Sequence, residues 1–163
     1  MVAGALFALA LSLGLLVASL FRADGLGLVW ASLALDLVAL TLLVNGYREE
    51  EVEGEARVVL GFHPAVAPIK AGVFPLVKKD GMPEMAHRIA DDLRESFTIF
   101  YDDGGAIGRR YRRQDEVGTP FGITVDGESI AGGTVTVRDR DTLKQERVDS
   151  GQLKDYLAKK LAT

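Results

Sequence analysis

The stretch Tyr101–Asp126, YDDGGAIGRRYRRQDEVGTPFGITVD, contains the most informative pattern in the chain. It begins at the end of a β-like run, passes through a polar turn with two glycines, and continues as a helix over residues 107–116. Gly118 and Pro120 end that helix, because glycine favours a helix C-terminus and proline commonly follows one. The next run, Phe121–Val125, is apolar and β-like. Strand, helix and strand in this order indicate an α/β fold.

Four arginines surround a tyrosine on the predicted helix, and three polar residues follow them directly: Arg109, Arg110, Tyr111, Arg112, Arg113, Gln114, Asp115 and Glu116. Residues three or four apart are neighbours on a helix, so the arginines are expected to form a concentrated cationic surface. Guanidinium groups suit phosphates and base edges, and a tyrosine ring adds a stacking surface. The acidic residues either accept from base amino groups or pair with the arginines. The cluster therefore indicates either RNA binding or a solvated helix face with weak ion pairs.

Strand and helix patterns continue on both sides of this stretch. The predicted elements are strands at Ala56–Phe62, Gly72–Val77, Thr98–Tyr101, Thr134–Arg138 and Gln145–Val148, a helix from Pro83 to about Ser96, and a last helix capped by Ser150. Pro75 lacks an N–H donor and predicts a sheet edge or an irregularity near the end of its strand. These patterns predict a compact α/β domain over residues 56–163.

A second polar cluster, VRDRD at Val137–Asp141, follows a strand with clean alternation of valines. Its two arginines, Arg138 and Arg140, either form an ion-paired turn or extend the RNA-binding surface.

Composition excludes several classes of protein and of site. The chain has 163 residues with 48% hydrophobic residues, which excludes a disordered protein. Its net charge of −4 gives no general attraction for nucleic acid, so RNA binding has to rest on a local patch. There is no cysteine, and His63 and His87 are the two histidines. We therefore expect no metal site, no cofactor and no catalytic residue.

Residues 1–46 differ from the rest of the chain, because they contain three charged side chains: Arg22, Asp24 and Asp36. The run Met1–Phe21 has no charge, and as a helix it would be about 30 Å long, enough to cross a bilayer. A second apolar run, Leu26–Val44, follows a polar turn and is interrupted by Asp36. The pattern predicts an apolar helical hairpin that anchors the chain in a membrane.

Two alternatives to the membrane hairpin remain open, namely a remnant of a globular enzyme core and a cleaved leader. Asp36 favours the remnant, because a carboxylate at the centre of a membrane helix is costly. Residues 47–55, YREEEVEGE, are strongly acidic and are expected to form a solvated helix end or linker.

The soluble part resembles the C-terminal anticodon-binding domain of class II glycyl-tRNA synthetases, from about Glu49 to Leu161. Three stretches show the resemblance: HPAVAPIKAGVFPLVKKDGMPE at 63–84, the stretch Tyr101–Asp126, and TVTVRDRDTLKQERV at 134–148. The resemblance implies a mixed five-stranded sheet flanked by helices, and binding of tRNA, with glycine-type anticodons as the expected partner. The segment Gly127–Gly133 is shorter than the family usually has.

Residues 30–44, WASLALDLVALTLLV, resemble a degenerate form of motif 3 of the same enzymes, with Ser32, Leu35 and Asp36 as the matching residues. Leu37 stands where the family has its ATP-binding arginine. The resemblance therefore implies that this chain alone does not activate glycine. Besides tRNA, the candidate partners are a second copy of the chain in a homodimer and a synthetase catalytic partner.

Two functions are consistent with these observations. The first is tRNA binding by a domain without a catalytic core, as a membrane-associated protein whose soluble domain is cytoplasmic or as a cytoplasmic fragment or subunit of a glycine–tRNA ligase. The second is a protein-interaction module on the same fold. Retention of all four arginines with Tyr111 favours the first.

Overall fold

The computed structural model describes residues 25–52 and 54–162. The chain divides into two units at Tyr47 and Arg48.

In the described part of the first unit, Gly25–Gly46 form a long helix, α1. Two of its hydroxyl groups bond within the helix, since Ser32 donates to the Val29 carbonyl and Thr41 to the Leu37 carbonyl. Large apolar side chains are exposed from Trp30 to Val44: Trp30, Leu33, Leu35, Leu37, Val38, Leu40, Leu42 and Val44. The predicted second apolar run is thus a helix, whereas the first arm of the predicted hairpin lies outside the described residues.

The second unit is an α/β domain with seven strands in two sheets. Its strands are β1 (Tyr47–Val52), β2 (Glu55–Leu60), β3 (Ala71–Pro75), β4 (Ile99–Tyr101), β5 (Phe121–Val125), β6 (Thr134–Asp139) and β7 (Gln145–Asp149). Its helices are α2 (Met82–Arg94), α3 (Ile107–Val117), α4 (Gly127–Gly132) and α5 (Leu153–Leu161), with a 3-10 turn at Ser150–Gln152.

The larger sheet is mixed and has the strand order β4-β3-β5-β6-β7. β3 is parallel to β4 and β5, because helices connect these strands, whereas β6 and β7 continue as antiparallel neighbours. Pro75 is the last residue of the interior strand β3, where a missing N–H donor costs little. The five-stranded mixed sheet flanked by helices that the family resemblance implies is confirmed.

The two faces of the larger sheet carry different side chains, because successive residues of a strand point to opposite sides. One face is apolar and packs with α2 and α5 into a core that includes Val73, Leu93, Ile123, Val137 and Leu157. The other face contains Gly72, Phe74, Gly122 and Thr124 and lies against α3. The arginine-rich helix is therefore on the face opposite the main core.

The stretch Tyr47–Glu55 differs from the predicted linker. Residues 47–52 form β1, which pairs with β2 to give a two-stranded ribbon, hereafter the β1–β2 ribbon. Along β1 the half-buried residues are Glu50 and Val52, while Glu49 and Glu51 are exposed. The strand forms because its inner face has ionic and apolar partners, which the acidic composition alone does not reveal.

Two further details differ from the sequence pattern. Asp149 rather than Ser150 caps the last helical segment, since its carboxylate accepts from the Gly151 amide at 2.8 Å. The short helix α4 was not predicted, although its capping box is readable in the sequence. The Asp126 carboxylate and the Ser129 amide, and the Ser129 hydroxyl and the Asp126 amide, form reciprocal bonds of 3.0 Å.

Candidate nucleic-acid interface

Tyr111 projects from α3 onto the larger sheet at a position where the sheet has no side chain. A Cβ atom at Gly122 would stand 2.5 Å from Tyr111 Cε1, so only glycine leaves room for the ring. The ring meets Phe74 edge to face at 5.4 Å, and its hydroxyl lies 2.5 Å from Thr124 Oγ1. Burial raises the pKa of Tyr111 above its ordinary value, so the hydroxyl keeps its proton at neutral pH.

Arg138 lies over the same ring. It is the β6 partner of Gly122, and its guanidinium carbon is 4.6 Å from the centroid of the Tyr111 ring. This is cation–π geometry, which is favourable and orients the guanidinium plane. The strand register and the missing side chain at Gly122 together place an arginine above a tyrosine at the surface of the sheet.

Asp115 accepts hydrogen bonds from two arginines on different elements. Arg138 donates through Nη1 at 3.1 Å and Nη2 at 3.3 Å, and Arg57 of β2 donates through Nε at 2.9 Å. Asp115 is 2% exposed and Arg57 is 4% exposed. Burial disfavours the charge on Arg57, but the carboxylates of Asp115 and Glu50 outweigh it and raise the pKa of Arg57. Arg57 therefore keeps its charge at neutral pH although it is buried.

A pocket of about 370 Å³ opens between α3, β6 and the β1–β2 ribbon. Its lining combines three arginines, two carboxylates, an aromatic ring and small or apolar residues: Val52, Glu55, Arg57, Gly108, Tyr111, Arg112, Asp115 and Arg138. A pocket with an aromatic surface and guanidinium donors has the chemistry that an unstacked nucleic-acid base requires.

Three exposed arginines lie at the rim of this pocket and along the outer side of α3. Arg112 forms an ion pair with Glu55 of the β1–β2 ribbon. Arg113 bonds the Asp102 carboxylate and donates to the Gly104 carbonyl at 2.7 Å. Burial opposes ionisation of Asp102, but the Arg113 and Gly104 donors outweigh it and lower the pKa of Asp102. Arg109 is exposed as well.

The other basic and polar candidates bond inside the domain. Arg110 is 3% exposed and donates to the carbonyls of Pro75 and Gly105. Gln114 is buried, and its side-chain oxygen accepts from the Thr119 hydroxyl at 2.7 Å. Arg140 is 2% exposed and donates to the carbonyls of Leu60, Gly118 and Phe62.

The candidate residues therefore form two sets, one that reaches the surface and one that is buried, instead of the single cationic face that was expected. Arg109, Arg112, Arg113 and Arg138 reach the surface, although Arg138 is only 13% exposed, and Glu116 is half-buried. Arg110, Gln114, Asp115 and Arg140 are buried and hold α3, the β1–β2 ribbon and the sheet together. Arg57 completes the pocket, but its sequence context, EARVVL, is that of an ordinary strand and gave no signal.

The two histidines take part in local structure. His63 Nδ1 accepts from the Ala65 amide at 3.2 Å, and the His87 ring stacks on Tyr101 with centroids 3.8 Å apart. Among residues 25–52 and 54–162, no three His, Asp or Glu side chains are arranged to hold a metal ion.

A comparison with protein families identifies the fold that carries this pocket. Residues 67–160 match the family model described as the anticodon binding domain. The chain belongs to the anticodon-binding domain family. The matched residues include α3, β5 and β6, which carry Tyr111, Gly122 and Arg138 respectively.

Curated relatives of this anticodon-binding domain are similar over most of its length. The chain is 54% identical over 130 residues to the glycine–tRNA ligase of Caldanaerobacter subterraneus subsp. tengcongensis, covering 80% of the chain and 28% of that protein. It is 57% identical over 118 residues to the glycine–tRNA ligase of Rhodopirellula baltica, covering 69% and 22%. The chain thus spans about a quarter of the length of the curated relatives it matches, and its domain is of the type found in glycine–tRNA ligases.

A solved structure shares the fold. Prolyl-tRNA synthetase from Cryptosporidium parvum, determined in complex with L-proline and AMP, matches with a TM-score of 0.59 and 20% identity, over 64% of this chain and 24% of that chain. At this identity the likeness concerns the architecture alone.

Proposed function

We propose that the domain binds the anticodon region of a tRNA, with glycine-type anticodons preferred, at the pocket beside α3. The observation that carries the proposal is the position of Arg138 over Tyr111 in a pocket that also contains Arg112, within an anticodon-binding domain. The preference for glycine-type anticodons rests on the similarity to glycine–tRNA ligases.

The exposed arginines and the pocket take different roles in this proposal. Arg109, Arg112 and Arg113 bind phosphates, which gives affinity without sequence preference. Asp115 holds Arg138 in place, and Arg138 offers guanidinium donors to a base in the pocket. The guanidinium plane of Arg138 also provides a surface on which the base stacks. The net charge of −4 implies modest affinity, because the rest of the surface repels phosphate.

The test compares two double variants by fluorescence anisotropy, using the full chain and a labelled anticodon stem-loop of glycine tRNA across a salt series. Replacing Arg112 and Arg113 by alanine should weaken binding and flatten the salt slope by about one unit per lost phosphate contact. The control replaces Arg88 and Arg94 by alanine, which removes the same charge from α2, on the other face of the sheet. Equal effects of the two double variants, or no binding at low salt, contradict the proposal and favour the protein-interaction module.

We also propose that the domain takes part in aminoacylation. It would bind tRNA for a glycine–tRNA ligase whose catalytic part is another polypeptide. Leu37 stands at the position matched to an ATP-binding arginine, which supports the proposal that another polypeptide binds ATP. The purified chain alone is then expected to show no glycine-dependent pyrophosphate exchange. Detectable exchange by the chain alone contradicts the proposal.

We propose secondly that α1 associates with a lipid bilayer and leaves the tRNA-binding domain in the cytoplasm. In the described part of the chain, Val29–Gly46 is long and apolar enough to span a membrane, and 11% of it is buried. Core helices of soluble proteins and signal sequences share this length and composition, so the helix needs its own test.

Fractionation of the full-length protein provides that test. Recovery in the membrane fraction, with release by detergent but not by high salt, supports insertion. A monodisperse soluble protein contradicts it and favours packing of α1 on a protein. Light scattering then separates a second copy of this chain from a synthetase catalytic partner.

A further inference from the structure

Arg57 of β2 is fixed by three acceptors on three different segments. Its Nε donates to Asp115 Oδ2 at 2.9 Å, its Nη1 to Glu50 Oε2 at 2.7 Å and its Nη2 to the Arg140 carbonyl at 2.6 Å. Each guanidinium nitrogen thus has its own partner. The side chain is 4% exposed, so it contributes to the wall of the pocket without being open to a ligand.

Arg57 is one of two arginines that donate hydrogen bonds to Asp115. Oδ2 of Asp115 accepts from Arg57 and from Arg138, while Oδ1 accepts from Arg138 Nη1 at 3.1 Å. If Arg57 were absent, Arg138 would be the one charged donor left to the carboxylate among the described residues. Because the loss of one partner leaves a buried charge undercompensated, the Arg138 guanidinium would then shift toward the carboxylate.

That movement would change the surface that a base meets. Arg138 makes its contact with Tyr111 at 4.6 Å while its two terminal nitrogens bond Asp115. A carboxylate anchored by Arg57 as well keeps the guanidinium in this place over the ring. A carboxylate free to rotate would pull it away from the ring and neutralise it more completely.

We propose that Arg57 is a positioning residue for RNA binding, which holds Asp115 so that Arg138 presents its guanidinium over Tyr111 at the pocket. The inference rests on the proposed function, in which Arg138 is the group that contacts a base. It also assigns a role to the β1–β2 ribbon, which supplies Arg57 to the pocket wall and Glu50 as one of its acceptors. The ribbon is then part of the binding site without contacting RNA through Arg57.

A double-mutant cycle with the full chain tests this role. The variants are Arg57→Met, Arg138→Met and the double variant, and the measurement is affinity for the labelled anticodon stem-loop. Arg57→Met is expected to weaken binding about tenfold in the wild-type background, within the range of couplings between contacting residues. In the Arg138→Met background the same change should cost less than about twofold, because the residue through which Arg57 acts is gone. Equal fold-changes in both backgrounds overturn the inference and leave only a general charge effect.

Arg57→Lys separates charge from geometry and serves if Arg57→Met does not fold. One ammonium group keeps the charge but does not reach three acceptors in the fork arrangement of a guanidinium. Binding about tenfold weaker than that of the wild type supports positioning, whereas wild-type affinity overturns it.

A measurement without RNA makes failure of this inference distinguishable from failure of the proposed function. The Nε–Hε resonance of Arg138 in a nitrogen-15 NMR spectrum should shift or broaden in Arg57→Lys when the guanidinium loses its fixed place. An unchanged resonance overturns the positioning role whatever the RNA result. If the resonance shifts while Arg138→Met leaves RNA affinity intact, Arg57 positions Arg138 but RNA binding at this pocket is wrong.

Discussion

Arg138 and Gly122 face each other across neighbouring strands, and the missing side chain of one determines what the other contacts. The space above Gly122 is filled by the ring of Tyr111, and Arg138 covers that ring with its guanidinium carbon 4.6 Å from the centroid. A side chain at Gly122 would displace the ring and remove the surface on which Arg138 rests. The pairing of β5 with β6 therefore determines both how α3 packs on the sheet and which guanidinium lines the pocket.

Substitutions at Tyr111 separate its ring from its hydroxyl. Tyr111→Phe keeps the ring under Arg138 but removes the partner of the Thr124 hydroxyl, so we expect stability to fall by about 1 kcal/mol with RNA affinity unchanged. Tyr111→Leu removes the ring as well, and affinity should fall about fivefold with the loss of the cation–π contact. Denaturant unfolding and anisotropy measure the two quantities. Loss of affinity in Tyr111→Phe equal to that in Tyr111→Leu would show that the hydroxyl, not the ring, is what RNA binding requires.

Alanine substitutions at two glycines test the packing below the pocket. Gly122→Ala places a Cβ 2.5 Å from the Tyr111 ring, and we expect a loss of about 2 kcal/mol in the free energy of unfolding from overpacking. Gly108→Ala, in α3, meets nothing within 4 Å and should stabilise the domain by about 0.5 kcal/mol through helix propensity. Chemical denaturation of both variants gives the comparison. A destabilised Gly108→Ala or a neutral Gly122→Ala contradicts this description of the helix–sheet contact.

The elements of the domain were largely predictable because each carries a local pattern. The apolar run Phe121–Val125 became β5 with the same bounds, and the helix from Ile107 was placed to within a residue. The strand β1 was not predictable, because Glu50 on it bonds Arg57 of β2, and Arg57 is fixed in turn by Asp115 and the Arg140 carbonyl, which are far away in sequence.

The sequence places most of the candidate residues on one helix, as the structure does, but does not show which of them are buried. Spacing on α3 places Arg110 and Asp115 beside the exposed arginines, yet both are buried. Arg110 donates to the carbonyls of Pro75 and Gly105, and Asp115 accepts from the Arg57 guanidinium. Helical periodicity describes neighbours on one helix surface and contains no information about such distant partners.

The Asp102–Arg113 pair gives stability that depends on pH. Because the pKa of Asp102 is lowered in the folded state, its contribution is present above the ordinary aspartate pKa of about 3.9 and is lost as pH falls below that value. Asp102→Asn keeps the acceptor for the Gly104 amide but removes the charge, and should cost about 1 kcal/mol at pH 7, since Arg113 is half-exposed. Unfolding measured from pH 7 to pH 2 should show the difference from wild type shrinking below pH 4. A difference that is constant with pH excludes a charge effect.

The acidic β1–β2 ribbon should limit RNA affinity through the ion pair of Glu55 with Arg112. Both side chains are largely exposed, 65% for Glu55 and 48% for Arg112, so an RNA phosphate competes with this carboxylate for Arg112. Glu55→Gln removes that competition, and we expect affinity to rise about threefold, in keeping with the small free energy of an exposed ion pair. Glu51→Gln is the matched control, because it changes the net charge equally on the same ribbon while lying among the exposed residues of β1. Anisotropy titrations at low and high salt decide between them, since the excess effect of Glu55→Gln should fade as salt screens the pair. Equal gains from the two variants would mean that the ribbon acts by its overall charge, and Arg112 would then have no special part in phosphate binding.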